Sequence, residues 1–559
     1  MQKPKNKKQT RYVFICGGVV SGLGKGIVCS SIGMILKSCG YSVNHIKIDP
    51  YLNIDAGTMR PAEHGEVYVT DDGGEIDQDL GNYERFTNQS FSKENNITSG
   101  KVFLSVITKE RELFYKGRDV EMIPDVPNEI IRRFHELEKK ADGSSYDFIV
   151  VEIGGTTGDI ENLPFLYAAR EVGRERESLY VLVSLVPFLR NVGELKTKPT
   201  QHAVTQLRST GINPDILVTR EERPLDEPRR ETLARRCFLE SDAIFDDPDS
   251  SSIYEVPLIL ERQGMSAKIM RHFGLPHRKP DFKEWKKMEA RVRNPKKEIT
   301  IALVGKYVKH GGNAHRDVYV SVLEAIKHAG AANNVKVNVL AFDSNEFNAS
   351  ELEKITISGM VVPQGWGSRG VEGKIAAVGY ARTHKIPFLG LCFGMQMAVI
   401  EYARTVAGLD DANSSEVDAN CRYPVIHLMP NQEKYLAAHQ FGGTIRLGSW
   451  PCQIIAGTQL ENAYSIYGKD ENMITKDLVI HERHRHRYEF NNEYRDKLVK
   501  SGLVISGLSP DGQLVEAIEL PKNVHPFFVA TQFHPEYKSR FLSAHPLFMA
   551  FVKACETYQ

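Results

Sequence analysis

Apolar and polar positions come in blocks along the first half of the chain. Residues 12–16 (YVFIC) form a short apolar run, followed by a glycine-rich loop and a helix-like stretch reaching about residue 38. Further apolar, β-branched runs at 43–48, 148–153 and 180–186, with a shorter one at 216–218, predict strands separated by helical segments. Continuous apolar runs, rather than alternating ones, suit strands covered on both faces, so the pattern predicts a parallel sheet flanked by helices. A densely charged stretch at 279–297 (KPDFKEWKKMEARVRNPKK) interrupts the pattern and reads as an interdomain connection, helical in part. The alternation restarts at 299–304 and continues through 335–342, 360–362, 387–391 and 528–533. Two α/β domains are therefore expected, 1–278 and 298–559, joined by a linker at 279–297.

Composition narrows the function classes. With 559 residues the chain has room for several domains or two large ones. A hydrophobic share of 41% and a charged share of 25% exclude a largely disordered or collagen-like chain. Lys+Arg and Asp+Glu both number 71, so the basic excess of a dedicated nucleic-acid binder is missing, while small anionic ligands remain open. No apolar run reaches the length of a membrane span. The basic N-terminus before YVFIC has the flavour of a signal peptide. The apolar run is too short and feeds straight into a glycine loop, so it reads as a first strand. Cys16, Cys29, Cys39, Cys237, Cys392, Cys421, Cys452 and Cys555 form no C-x-x-C pair. This argues against a zinc site or a disulfide framework and for a reduced, cytoplasmic setting.

Residues 17–26 read GGVVSGLGKG, placed between a strand and a helix. Glycines there let backbone N–H groups converge on phosphate oxygens, the helix N-terminus adds its positive end, and Lys25 supplies a point charge. The match to G-x-x-x-x-G-K-[ST] is imperfect: Val19 stands at the first glycine and Gly26 at the hydroxyl position. Carboxylates must then hold Mg²⁺, and Asp79 and Glu152 are the candidates, Glu152 because it closes the run FIVVE. Lys196–Gln201 (KTKPTQ) sets two lysines about a rigid turn that suits a polyphosphate, although alone such a turn is ordinary solvated surface.

The second half carries a sharper signal. In 387–396 (PFLGLCFGMQ) an apolar strand runs into G-x-C-x-G and then an apolar helix, the thiol form of a nucleophile elbow. Cys392 would be the nucleophile and the N–H of Phe393 an oxyanion donor. A base follows the run at 528–533: His534, with Glu536 two positions later to orient it. A second oxyanion donor is expected from the turn 362–367 (VPQGWG). The cluster 481–488 (HERHRHRY) admits two readings, a solvated basic strand or a guanidinium site for a substrate carboxylate.

Taken in order, GGVVSGLGKG, KIDPYLNIDAGTM, EHGEVYV, DLGNYERF, VEIGGTTGDIE, KTKPTQH, GLCFGMQ, RHRHRYE and QFHPE resemble the CTP synthase family from about residue 11 to 545. The resemblance implies an N-terminal modified P-loop NTPase-like synthase (amidoligase) and a C-terminal class I glutamine amidotransferase of flavodoxin-like α/β fold. It implies that Cys392 releases ammonia from glutamine, that ATP phosphorylates UTP, and that ammonia displaces the phosphate to give CTP. It places ATP on Gly22, Leu23, Gly24, Lys25, Gly26, Ile27 and Asp79, with Lys47 of KIDP near the transferred phosphoryl group and Mg²⁺ on Asp79 and Glu152. UTP, or the feedback inhibitor CTP, would lie against Ser21, Asp159, Ile160, Glu161, Lys196, Thr197, Lys198, Pro199, Thr200 and Gln201. Glutamine would lie against Gly365, Phe393, Gly394, Met395, Gln396, Glu416 and Arg487. GTP as activator, a homotetramer and filaments are further implications, with neither nucleic acid nor membrane as partner.

Two positions depart from the family pattern P-G-G-F-G: Gln364 and Trp366 in Pro363–Gly367. If residue 364 needs a left-handed backbone, Gln364 is strained by roughly 1 kcal/mol, and Trp366 would alter the pocket or the GTP response. The rivals are a glutamine-dependent amidase of the cobyric acid synthase type, which lacks KTKPTQH, and a non-catalytic, filament-forming paralogue, which would have lost a nucleophile or a metal ligand.

Overall fold

The computed structural model describes residues 9–306, 318–429, 432–438, 442–468 and 473–558. The basic residues 1–8, part of the N-terminal stretch weighed above as a leader, lie outside the described residues. The chain forms two compact units, Met1–Asp55 with Asn82–Lys283, and Ala56–Gly81 with Glu284–Gln559.

The first unit is built on a seven-stranded sheet. In spatial order its strands are Ile244–Pro248, Ile216–Glu221, Ser178–Leu185, Arg11–Gly17, Phe148–Ile153, Val43–Asp49 and Asn96–Thr98. Every pairing is parallel, as the continuous apolar runs require. Tyr12, Phe14, Ile46, Val151 and Leu182 are sealed between the sheet and its helices. In a parallel sheet all strand C-termini share one edge, so the loops after residues 17, 49, 153 and 185 emerge together there. Hydrogen bonds bind these loops: Gly18 N donates to Val183 O (2.8 Å), Thr157 N to Gly17 O (3.0 Å) and Gly154 N to Ile48 O (2.9 Å).

The second unit carries a nine-stranded mixed sheet. Val335–Asp343, Lys297–Gly305, Gly359–Val362, Phe388–Leu391 and Phe528–Thr531 pair in parallel. Val515–Glu519, Val504–Leu508, Arg446–Ile454 and Val479–His486 extend the sheet by antiparallel pairings. The charged stretch near 290 holds a helix, Lys283–Arg293, anchored by buried Trp285. The last parallel strand ends at Thr531, two residues before the apolar run does.

The segment Ala56–Gly81 packs within this second unit. It folds as a short antiparallel hairpin, Val67–Val69 against Glu75–Asp77. Tyr68 OH donates to Tyr537 O (2.8 Å), Tyr537 OH donates to Val67 O (3.0 Å), and Glu66 accepts from the N–H of Ser321 (2.9 Å). Among the described residues no helix is long and apolar enough to cross a membrane. The eight cysteines are free thiols, all buried except Cys421, which is half-buried.

Candidate functional site

The glycine loop of the first unit ends on Gly24, whose left-handed backbone (φ 83°) caps the helix Lys25–Ser38. A side chain would be strained at that φ, which explains glycine there. Lys25 is the first helical residue, and its ammonium donates to Gly155 O in the loop after the neighbouring strand. Ser21 and Gly22 are exposed at the rim, and Leu23, Gly26 and Ile27 turn inward to varying degrees. The strand register sets Lys47 directly beside Glu152. Both are buried, with Lys47 Nζ 3.1 Å from Glu152 Oε1 and 3.6 Å from Asp49 Oδ1. The hydroxyl of Tyr83 donates to the other oxygen of Glu152. Asp79 opens the helix Asp79–Thr87 one turn before Tyr83, with its N–H on Asp77 Oδ1 (2.9 Å).

Glu152 has the chemistry and setting of an Mg²⁺ ligand. Glu152 is oriented through both oxygens at a strand C-terminus, and Mg²⁺ needs only one or two carboxylates when phosphate oxygens and water complete its shell. Among the described residues no group of three or more His, Cys, Asp or Glu forms a self-sufficient metal cage.

Other expected nucleotide residues lie on loops of the same sheet edge. Asp159 accepts from Thr156 N (2.6 Å) and precedes a single 3-10 turn, Ile160–Asn162, that leaves Ile160 and Glu161 exposed. KTKPTQ is more than a turn, since Lys198 opens the helix Lys198–Ser209 with Pro199 in its first turn. Thr200 Oγ1 is tied to Leu185 O (2.8 Å), Gln201 Nε2 to Thr197 Oγ1 (3.0 Å), and Lys196 pairs with Glu194. A helix N-terminus favours anions through its unpaired N–H groups and dipole. The buried hydroxyls of Ser184 and Thr157 also lack hydrogen-bond partners among the described residues.

Sequence reasoning missed the carboxylates at the end of this edge. Glu221 and Asp247 close adjacent strands, and burial pushes Glu221 up to about 9 and Asp247 to about 6. The signal was available: Glu221 stands two positions after the run ILVT, much as Glu152 directly follows FIVV.

In the second unit Cys392 stands between the strand Phe388–Leu391 and the helix Phe393–Thr405, at φ 52° and ψ −101°. A non-glycine residue at positive φ stores strain, and here it aims the thiol out of the elbow. The two motif glycines answer to space. A Cβ on Gly394 would lie 1.9 Å from Val362 O, and one on Gly390 would lie 2.9 Å from the Ala530 side chain. Cys392 Sγ faces Arg485 O at 3.7 Å and Gln532 Nε2 at 3.5 Å.

His534 and Glu536 are buried, with Nδ1 and Oε1 2.7 Å apart. The opposite ring nitrogen, Nε2, has no hydrogen-bond partner at standard geometry among the described residues. Burial alone would depress the imidazole. The charges of Glu536 and Cys392, and hydrogen bonding to both, outweigh it and raise His534 to about 10. Tyr537 stacks on the ring at 5.0 Å.

The turn after the strand Gly359–Val362 surrounds this elbow. Glu416 accepts from Gly367 N (2.7 Å), and its carboxyl is raised by burial against the opposing effects of that hydrogen bond, Lys306 and Arg487. Arg487 is buried and donates to Thr444 Oγ1 (3.1 Å). Gln396 donates to Tyr488 O (2.9 Å), and Met395 is sealed in the core beneath. Cys392 and Gln396 thus share Gln532, the charge of Cys392 acts on His534, and Lys306 lies between Phe393 and Gly365, while Glu416 feels the charges of Lys306 and Arg487.

Two expectations are corrected here. Gln364 is not among the residues with positive φ, so the expected strain is absent, and its side chain instead reaches Glu66 Oε1 at 3.3 Å. The cluster at 481–488 is not a solvated strand, because Glu482, Arg483, His484 and His486 are buried. Arg483 pairs with Asp71 (2.8 Å) and Arg485 with Glu75 (2.9 Å), both from the segment Ala56–Gly81. Those two guanidiniums are committed to the fold, and Arg487 is the one set beside Glu416. Trp366 lies under the Arg485 guanidinium, 5.4 Å from its ring centre.

Comparison with known proteins matches residues 11–275 to the model of the CTP synthase N-terminus and residues 314–554 to that of class I glutamine amidotransferase. The CTP synthase of Methanocaldococcus jannaschii is 50% identical over 98% of this chain and 98% of its own. The CTP synthase of Caldanaerobacter subterraneus subsp. tengcongensis is 51% identical over 97% of this chain and 98% of its own. That of Nostoc punctiforme is 50% identical over 98% of this chain and 96% of its own. With both halves matched and the likeness running nearly end to end, the chain belongs to the CTP synthase family.

Proposed function

We propose that the chain makes CTP from UTP, with ATP as the driving co-substrate and ammonia taken from glutamine. The observation that carries this reading is the buried Cys392–His534–Glu536 arrangement in a chain half identical to CTP synthases over nearly its whole length.

In the second unit His534, its proton affinity raised by Glu536, takes the thiol proton of Cys392, and the thiolate Sγ then bonds to the amide carbon of glutamine. Glu536 holds the imidazole by its other nitrogen and compensates the imidazolium. The carbonyl oxygen gathers negative charge and is met by the N–H groups of Gly365 and Phe393. The C–N bond then breaks, nitrogen leaves as ammonia with the proton from His534, and water releases glutamate from the thioester. Glu416 and Arg487, with Gly394, Met395 and Gln396, shape the glutamine pocket.

In the first unit the loop Gly22–Ile27 holds the ATP phosphates, with Lys25 on them, and Lys47 neutralises charge at the transferred group. Asp79 and Glu152 would hold Mg²⁺, which when bound neutralises phosphate charge. The ring carbonyl O4 of UTP takes the phosphoryl group and ADP leaves. Ammonia adds at C4 and expels phosphate, giving CTP. Ser21, Asp159 to Glu161 and Lys196 to Gln201 hold the pyrimidine nucleotide; along the sequence 1–278 is the synthase half and 298–559 the amidotransferase half, although Ala56–Gly81 packs with the second unit.

The test is CTP formation from UTP and Mg-ATP with glutamine or ammonium, in wild type and Cys392→Ala. CTP from both nitrogen sources in wild type, and only from ammonium in the variant, is the expected result. No CTP from either source in wild type would refute the assignment.

Activation by GTP, inhibition by CTP and a cytoplasmic location follow from family membership as expectations. A homotetramer, with filaments beyond it, gains support from large apolar side chains left exposed on the first unit, Leu104, Ile107, Leu113, Phe114, Met122 and Ile123.

A further inference from the structure

Lys374 is an anomaly on its helix. It lies in the first turn of Val371–Thr383, where the helix dipole disfavours a cation. Its side chain is completely buried, and no carboxylate is among the groups described as acting on it. Burial, and then the charge of Lys306, lower its proton affinity well below that of an ordinary lysine. Such a group destabilises a fold unless its hydrogen bonds compensate.

Its partners are specific. Nζ donates to Pro363 O at 2.5 Å and to Gln364 O at 3.2 Å, two successive carbonyls of the turn that precedes Gly365. Tyr319 OH reaches the same Gln364 oxygen at 3.4 Å. Among the described residues the one cis peptide is Ile123–Pro124, so the 364–365 peptide is trans. In a trans peptide the C=O and the following N–H point in opposite directions. A donor fixed on Gln364 O therefore turns the N–H of Gly365 the other way. No acceptor among the described residues takes that N–H. The turn sits on the elbow itself, since Val362 O contacts Gly394, and Lys374 Nζ lies 5.4 Å from the ring centre of Phe393.

We infer that Lys374 is a positioning residue: by anchoring the carbonyls of Pro363 and Gln364 it locks the peptide plane that presents Gly365 N–H to the oxyanion formed at Cys392. A peptide flip at 364–365 would replace that donor with a carbonyl oxygen and repel the developing charge. The inference rests on the reading that Cys392 and Gly365 act on glutamine.

The test uses full-length Lys374→Met, which keeps length and loses the donor, and Lys374→Gln, which keeps an N–H. Glutamine hydrolysis, ammonium-dependent CTP synthesis, Cys392 alkylation by iodoacetamide and inhibition by glutamate γ-semialdehyde are measured on each. The semialdehyde probes the hole directly, because thiol addition turns its carbonyl oxygen into the group the hole binds. For Lys374→Met, kcat for glutamine falls about 10- to 100-fold, the loss expected for a misplaced oxyanion donor. KM changes little, and semialdehyde inhibition weakens by the same factor as kcat. Alkylation and ammonium-dependent synthesis stay at wild-type rates, and Lys374→Gln recovers part of the loss. Unchanged kcat, or a matching loss of alkylation, overturns the inference. So does loss of ammonium-dependent synthesis in both variants, which would make Lys374 a residue of the fold alone. Glutamine hydrolysis surviving in Cys392→Ala would instead overturn the reading of the site.

Discussion

Replacing Glu536 by Gln removes the charge behind His534 while keeping the shape of the side chain. The 2.7 Å contact between His534 Nδ1 and Glu536 Oε1 is buried on both sides, so solvent screens little of it. His534 is raised from 6.5 to about 10 against the depressing effect of burial. At about 1.36 kcal/mol per pH unit that is on the order of 5 kcal/mol favouring the imidazolium. Glu536 is the largest upward cause, so its loss returns the ring toward the neutral form that burial prefers. Glutamine-dependent kcat should fall about 10²- to 10⁴-fold, the range for a base that loses its orienting carboxylate. KM for glutamine should hold, because Glu536 bonds to the imidazole and not to the substrate.

The stability consequence has a definite sign. A histidine whose folded-state affinity for a proton is raised contributes stability that is complete below its unfolded value of about 6.5 and is lost as pH rises through about 10. The melting temperature of Glu536→Gln should therefore lie furthest below wild type near pH 6 and converge with it near pH 10. Glutaminase turnover by coupled glutamate detection, and thermal melts across that pH range, read both effects. A kcat within about threefold of wild type, or a stability deficit that grows toward high pH, would refute the reasoning.

Two further perturbations separate the active sites. Gly394→Ala would push a methyl group against Val362 O, 1.9 Å away, so the elbow must deform; glutamine-dependent CTP synthesis should fall at least about 100-fold while ammonium still supports it. Lys47→Met leaves Glu152 and Asp49 without their buried cation. It should cost about 3–5 kcal/mol in denaturant unfolding and abolish CTP from both nitrogen sources, with glutamine hydrolysis retained.

Local pattern already determines the strands of both sheets, because a strand covered on both faces must be apolar along its length. Residues 148–153 mark out the strand Phe148–Ile153 residue for residue. The elbow was legible too: G-x-C-x-G is a steric statement, and Val362 O and the Ala530 side chain supply the obstacles that demand glycine at 394 and 390. Local pattern was silent where partners come from distant parts of the chain. Lys47 meets Glu152 because two strands 105 positions apart are in register. For the cluster at 481–488 a solvated strand stayed open as one of two readings because its charges were visible and their partners Asp71 and Glu75, some 410 positions earlier, were not. Lys374 was passed over for the same reason, although a lone lysine in the apolar stretch VEGKIAAV was the available clue.

The chain by itself determined the candidate residues of the elbow and the glycine loop and the local backbone each requires, since spacing and φ are properties of neighbours. The tertiary structure alone decided where the segment Ala56–Gly81 packs, which buried charges compensate one another, and which way the peptides of the 363–367 turn face. Those are matters of burial and opposed charge between residues far apart in sequence, set only when the chain has closed on itself.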